Sequence, residues 1–496
     1  MTETVTLVGA GPGGAELLTR GGGAALRQAD AVVYDRLVDE SILDLIPKGA
    51  ERICVGKKMG HHPVPQDEIN ALLVRLARQG KRTVRLKGGD CYLFGRGGEE
   101  CEYLKAHGVP FRVLPGVTSA LAAPAFAGIP VTHRDFCSSV HIVTAHARAG
   151  KPLCIDFEAL VRTGGTLVFL MGLTALRQVT DGLAAAGMPP DMPAAVIENG
   201  ARGTQRKVVS TVGELADAAE KAGVHSPALI VVGRVCALSG TLDWWTALPL
   251  HGKTLAVTRP EERNAGLVDG LRALGAEVIA APCIELHERG DTASLMQLEE
   301  KHDWAVFTSP AGVQAAVRAL FRAGRDLRAL YGMKFACIGS ATAETLASCG
   351  IRADLVPEAY DSEHLADALC REMQGGGAAL LLRAAEGSRI LPEKLKNSGI
   401  RVTDVPLYDT VRCCAKADEL RERIRNRALD GVTFTSASTV HSFAEAVGRE
   451  NLRGLAALCI GPVTAEAAKS YEMKPFTAQE ATETALLALC KTVLEG

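Results

Sequence analysis

Residues 82–100 read RTVRLKGGDCYLFGRGGEE. The first eight form a strand-like run that closes on Gly88-Gly89-Asp90. Glycines at a strand end let another backbone or a ligand approach closely, and an acid there can accept hydrogen bonds from hydroxyls. The same pattern recurs as VTLVGAG at Val5, TLVFLMG at Thr166, ALIVVG at Ala228, TLAVTRP at Thr254 and WAVFTS at Trp304, with helical patterns between the runs. Short apolar runs that end at Gly, Ser or Asp suit strands buried on both faces. Strands alternating with helices predict α/β domains with mainly parallel sheets.

The chain has 496 residues, which suggests roughly three or four domains at about 100–200 residues each. Lys plus Arg number 55 and Asp plus Glu 57, a net charge of −2. A nucleic-acid binder carries a basic excess, so DNA and RNA are not expected partners. No apolar stretch reaches the roughly 18 residues of a membrane span. The N-terminus lacks the charged and apolar regions of a signal peptide, so a cytoplasmic location is expected. The fourteen cysteines include no C-x-x-C pair and read as reduced thiols, with no metal site expected. Residues 239–252, SGTLDWWTALPLHG, read as a linker that packs on a neighbour.

The second half is internally duplicated. DWAVFTSPAGVQA from Asp303 matches DGVTFTSASTVHS from Asp430, and FACIGSATAETLASCG from Phe335 matches ALCIGPVTAEAAKSYE from Ala457. TLAVTRP…LGAEVIAAPCIEL matches ALLLRAA…SGIRVTDVPLYDTV. Three blocks in one order predict two similar α/β lobes with a cleft between them, a default small-molecule site.

Gly9-Ala10-Gly11-Pro12-Gly13-Gly14 fits G-x-G-x-x-G, and Asp35 follows at the end of AVVYD. That outlines a nicotinamide-dinucleotide fingerprint, and a NAD-dependent oxidoreductase is one reading. Pro12 removes a backbone N–H from the turn that would hold pyrophosphate, and a plain strand-to-helix turn is the alternative.

The rest of the half points elsewhere. VYDRLV (33–38), GKKMGHHPVPQDEIN (56–70), VRLKGGDCYLFGRGGEE (84–100), PGVTSALAAPAFAGIPVTHR (115–134), PAAVIENGARGTQR from Pro193 and SPALIVVGRV from Ser226 follow in order. Together they resemble uroporphyrinogen-III C-methyltransferase over residues 3–245. The resemblance implies a two-subdomain α/β fold (about 1–114 and 115–245) and transfer of methyl groups from S-adenosyl-L-methionine to two carbons of the tetrapyrrole, giving precorrin-2 for sirohaem or cobalamin. It implies cofactor contacts from Pro12, Gly88, Gly89, Asp90, Leu93, Thr118, Ser119, Met171 and Gly200. It gives acid–base roles to Asp35 and Lys57, and a homodimer formed through this half. The tetrapyrrole substrate is a polycarboxylate, so the basic residues between Lys48 and Lys87 suggest a basic cleft, with Arg96, Arg134 and Arg148 as substrate contacts. Cys91-Tyr92, TAHAR at Thr144 and GPGGAEL depart from the family's usual pattern.

TLAVTRP, the paired FTS strand ends, the paired IGxxTAE segments and VPLYDTV resemble uroporphyrinogen-III synthase over about residues 252–496. The resemblance implies cyclisation of hydroxymethylbilane with inversion of its last pyrrole and no cofactor. It divides the domain 246–496 into one lobe of about 252–287 plus 411–496 and another of about 288–410. Thr308, Ser309, Ser340, Thr342, Thr435, Ser436 and Thr464 lie where helix N-termini can bind carboxylates, capping being their alternative role. Arg383 is a further substrate candidate. Tyr408 matches the tyrosine proposed to assist departure of the hydroxyl. The reading is a bifunctional enzyme; a non-catalytic tetrapyrrole-binding sensor is the other alternative.

Overall fold

The computed structural model describes residues 2–56, 64–145, 153–290, 301–374, 376–414 and 416–495. By compactness it divides into two units, Met1–Leu255 with Val268–Ile279 and Leu494–Gly496, and Ala256–Leu267 with Ala280–Val493.

Five strands open the first unit: β1 (Val5–Gly9), β2 (Ala31–Tyr34), β3 (Glu51–Cys54), β4 (Thr83–Lys87) and β5 (Phe111–Leu114). They form an all-parallel sheet in the order β3-β2-β4-β1-β5. All five residues of β4 are buried, while the edge strands β3 and β5 are largely exposed. The continuous apolar runs at Val5 and Ala31 are therefore central strands covered on both faces, as a parallel sheet requires.

A second sheet holds β6 (Val140–Thr144), β7 (Thr166–Leu170), β8 (Pro193–Glu198), β9 (Arg206–Thr211) and β10 (Ala228–Val232), in the order β6-β7-β10-β8-β9. Only β6 and β7 run parallel; β10 is antiparallel to β7 and β8, and β8 to β9. This sheet departs from the mainly parallel pairing of the others. TLVFLMG and ALIVVG are apolar because the strands are central, and that property does not encode direction.

The remaining strands are β11 (Thr254–Val257), β12 (Glu277–Ala280), β13 (Ile284–Glu288), β14 (Trp304–Phe307), β15 (Lys334–Cys337), β16 (Ala378–Ala384), β17 (Arg401–Arg412), β18 (Gly431–Phe434), β19 (Ala456–Cys459) and β20 (Lys474–Thr477). They make two five-stranded sheets, β12-β11-β18-β19-β20 and β13-β17-β16-β14-β15. The second sheet is parallel except for β13, which pairs antiparallel with β17.

Each duplicated FTS segment ends a strand and opens a helix. Ser309 Oγ accepts from the amide of Gly312 at 2.9 Å, and Ser436 Oγ from that of Thr439 at 3.3 Å. Each IGxxTAE copy likewise opens a helix, at Gly339 and Gly461. None of the fourteen cysteines forms a disulfide. No helix among the described residues is long and apolar enough to cross a membrane, and none of their side chains cluster as a metal site.

Candidate active sites

The ends of β1 and β4 meet through glycine. Gly11 and Gly89 exchange both backbone hydrogen bonds, at 3.0 and 2.8 Å. A Cβ on Gly9 would overlap the backbone of Gly116, and one on Gly200 would overlap Ala123. Gly89 has φ +68°, and a Cβ there would meet nothing nearer than the amide of Ser119 at 3.9 Å. Gly89 thus faces the first turn of the helix Ser119–Phe126, which Thr118 caps through the amide of Ala120.

Asp90 organises this loop. Its Oδ1 accepts from the amides of Tyr92 (2.8 Å) and Leu93 (2.9 Å), and its Oδ2 from that of Gly116 (3.0 Å). A carboxylate offers about four acceptor positions, so three are taken by the chain and about one remains. Leu93 is half-buried, and strain follows it: Phe94 and Arg96 have φ +54° and +60°. Met171 has φ +55° and is 47% exposed. Positive φ in non-glycine residues stores strain and gathers at ligand-binding loops.

Asp35 accepts from the amides of Leu37 (3.1 Å) and Gly88 (3.4 Å), which places its carboxylate over the end of β4. Beneath it lies a charge cluster that sequence reasoning passed over. Glu100 is fully buried, and its Oε1 receives Lys87 Nζ at 2.9 Å, Arg85 Nε at 3.1 Å and Gln66 Nε2 at 3.1 Å. Burial pushes the Lys87 ammonium below its ordinary value, with Arg85 adding to the effect. The signal was two cations at alternate positions of an otherwise apolar strand.

Several basic residues between Lys48 and Lys87 have partners within the chain. Lys81 pairs with Glu51, Arg82 with Asp30, and Arg85 and Lys87 with Glu100. Arg52 donates to the carbonyl of Ile46. Arg96 is exposed and pairs with Glu99; Arg134 is exposed. Lys57 and Arg148 lie outside the described residues. The departing pair Cys91-Tyr92 has a packing role. Cys91 is buried, its thiol pushed up to about 11 by burial, and Tyr92 donates its hydroxyl to Cys101 Sγ at 3.3 Å. The tryptophan linker packs on the helix Ser119–Phe126, where both indoles contact Phe126.

In the second half, Tyr408 on β17 is 6% exposed and its hydroxyl lies 2.9 Å from Ser309 Oγ. Whichever oxygen donates to the other, one O–H remains for a ligand. Thr308, Ser340, Thr435 and Ser436 are partly exposed at strand ends, while Thr342 and Thr464 are buried in the first turns of matching helices. Arg383 is buried, and its guanidinium is engaged by Asp404 (2.9 and 2.6 Å) and by the carbonyl of Ser388. That pairing holds Arg383 to Asp404 within the chain. Arg259, at the end of the TLAVTRP segment, pairs with Glu483.

The family model of tetrapyrrole (corrin/porphyrin) methylases matches residues 4–216, and that of uroporphyrinogen-III synthase HemD matches residues 265–488. The porphyrin biosynthesis protein HemD of Ruminiclostridium josui is 44% identical over 481 residues, covering 96% of this chain and 95% of that one. The chain belongs to the HemD porphyrin-biosynthesis family. Siroheme synthase of Salmonella typhimurium is 51% identical over 242 residues, which are 49% of this chain and 52% of that protein. This HemD-family chain therefore spans about half the length of the siroheme synthases it matches. A solved structure of uroporphyrin-III C-methyltransferase from Thermus thermophilus, complexed with S-adenyl homocysteine, is 41% identical. It covers 47% of this chain and 99% of that one, with a TM-score of 0.41. The HemD-family protein is thus a tetrapyrrole-biosynthesis enzyme with a methyltransferase domain and a uroporphyrinogen-III synthase domain.

Proposed function

We propose that the chain performs two consecutive steps. Its second half closes hydroxymethylbilane to uroporphyrinogen III, and its first half methylates that product twice to precorrin-2. The observation that carries the reading is the presence of both sites on one chain: a glycine-walled space beside Asp35 and Asp90, and the Tyr408–Ser309 pair at a duplicated strand end.

S-adenosyl-L-methionine would lie beside Gly89, where the absence of a side chain suits close approach to the backbone. When bound there, S-adenosyl-L-methionine supplies the methyl group. Gly88, Gly89 and Pro12 would admit it, the open acceptor position of Asp90 would take a ribose hydroxyl, and Thr118, Ser119, Leu93, Met171 and Gly200 would wall it. Asp35 would take the proton lost from the methylated pyrrole, and Lys57 would return one. Arg96, Arg134 and Arg148 would bind tetrapyrrole carboxylates.

In the synthase half, the hydroxyl of Tyr408 would donate to the departing hydroxyl group of the bilane. The amides behind Thr308, Ser309, Ser340, Thr435 and Ser436 would hold its carboxylates. Thr342 and Thr464, being buried, would keep those first turns in place. We also propose the division at residues 245 and 246, a homodimer formed through the first half, and a cytoplasmic location, which cysteines outside any disulfide suit.

Product analysis tests the reading. Hydroxymethylbilane alone should give uroporphyrinogen isomer III, and addition of S-adenosyl-L-methionine should give a product heavier by two methyl groups. Isomer I alone would remove the synthase assignment. Uroporphyrinogen III left unmethylated would remove the other.

A further inference from the structure

The turn Asp35–Val38 follows β2 and carries the Asp35 carboxylate. The bonds that close it are long. The amide of Leu37 donates to Asp35 Oδ1 at 3.1 Å, that of Val38 to the Asp35 carbonyl at 3.4 Å, and that of Gly88 to Asp35 Oδ2 at 3.4 Å. A shorter bond comes from 165 residues away: Arg202 Nη2 donates to the carbonyl of Leu37 at 2.8 Å. A hydrogen bond from a charged donor is roughly twice as strong as a neutral one. Leu37 is 53% exposed, so its own side chain does little to anchor the turn.

The loop that presents Arg202 is held from several sides. Asn199 and Ala201 have φ +49° and +64°, on either side of Gly200. Gln205 is buried; its Oε1 accepts from the amide of Ala201 at 2.8 Å and its Nε2 donates to the carbonyl of Phe126 at 3.0 Å. From the linker, Trp245 Nε1 donates to the carbonyl of Arg202 at 3.0 Å, and the amide of Gly252 to the carbonyl of Gly203 at 2.9 Å. A Cβ on Gly203 would stand 2.3 Å from the amide nitrogen of Glu277, so the loop has no room to retreat on that side. Gly200 packs on Ala123 of the helix Ser119–Phe126. One loop therefore touches both the helix proposed to wall the methyl donor and the turn that carries the proposed base.

We infer that Arg202 is a positioning residue for methyl transfer: it fixes the Leu37 carbonyl and so aims the Asp35 carboxylate, while Trp245 braces it from the linker. The inference rests on the methyltransferase reading and deepens it. Arg202 acts through Asp35 and takes no part in the bonds that change. Misplacing a reacting group by about 1 Å can cost about a hundredfold in rate, so a tie on the turn rather than on the substrate is enough to matter. It also gives the linker a part in the chemistry of the first half, beyond the packing of its two indoles on Phe126.

The experiment uses the full chain, with uroporphyrinogen III and S-adenosyl-L-methionine supplied. Arg202→Met should lower the kcat of methylation at least about tenfold and leave KM for both substrates within about twofold. Formation of isomer III from hydroxymethylbilane by the same variant should stay within about twofold of the parent, which shows that the chain has folded. Trp245→Phe keeps the ring and removes the N–H, and should lower the methylation kcat in the same direction by about threefold. In an Asp35→Asn background, Arg202→Met should add nothing further, because its effect passes through that carboxylate. An unchanged kcat in Arg202→Met would overturn the inference. So would a raised KM for uroporphyrinogen III at unchanged kcat, which would make Arg202 a substrate contact. A full-sized loss in the Asp35→Asn background, or a loss of both activities together, would also overturn it. A parent that leaves uroporphyrinogen III unmethylated would instead remove the methyltransferase reading, and this inference with it.

Discussion

At Gly9 a methyl group has nowhere to go, because the backbone of Gly116 already occupies its place. Gly89 is constrained differently: its φ of +68° favours glycine, but a Cβ there would come no nearer than ordinary contact with Ser119. The two glycines look alike in sequence and differ in what a substitution would do. Gly9→Ala must push one strand end off another and is expected to destabilise the first half by about 2 kcal/mol or more. Gly89→Ala pays only the left-handed backbone penalty of about 1–2 kcal/mol. It should instead lower cofactor affinity, since its Cβ enters the proposed site. Urea unfolding followed through the tryptophan fluorescence of the linker, with cofactor titration, separates the two. Equal stability losses would contradict the assignment. Tyr408 teaches the same lesson from the other half. VPLYDTV marks it as a strand residue, but only the folded chain brings Ser309 to its hydroxyl.

Among the elements, β4 is the most informative. Its five residues are all buried, yet two of them are Arg85 and Lys87, and Glu100 from the helix Gly97–Ala106 answers both. Two cations share one carboxylate oxygen, while Glu100 Oε2 has no partner. Such an arrangement is stable only while the anion is present, since removing one member of a buried ion cluster typically costs about 3–5 kcal/mol. Glu100→Gln should therefore lower the unfolding free energy of the first half by roughly that amount, and Lys87→Met in the same chain should restore part of it. A loss below about 1 kcal/mol would mean that the cluster is wetter than its burial indicates. Because β4 ends under Asp35 and leads into the Gly88–Asp90 loop, methyl transfer is expected to fall in the same variants.

Across the whole molecule, pH dependence converges on the linker. His251 accepts no proton easily: its Nε2 meets the carbonyl of Gln205 at 3.0 Å, so that nitrogen carries the hydrogen, and the buried Nδ1 has no partner. Burial holds its pKa below the ordinary 6.5. As pH falls through 6.5 the unfolded chain takes the proton first, so this contribution to stability is present above that value and is lost below it. The slope cannot exceed about 1.4 kcal/mol per pH unit for one proton. Between pH 8 and 5.5, a His251→Gln variant should lose less stability than the parent; parallel profiles would refute the claim.

How much of this was legible in advance follows from range. The alternation of strands and helices, the duplication, the glycine strand ends and the resemblance to two tetrapyrrole families are local patterns, and local patterns survive in one dimension. Strand direction in the second sheet, the pairing of Arg383 with Asp404, the Glu100 cluster and the bond between Tyr408 and Ser309 are contacts between residues apart in the chain. An arginine reads the same whether it faces a ligand or a buried carboxylate. The sequence by itself determined which elements form and which chemistry their ends can carry. Tertiary structure alone decided which charges were already neutralised, because neutralisation depends on who the neighbours are.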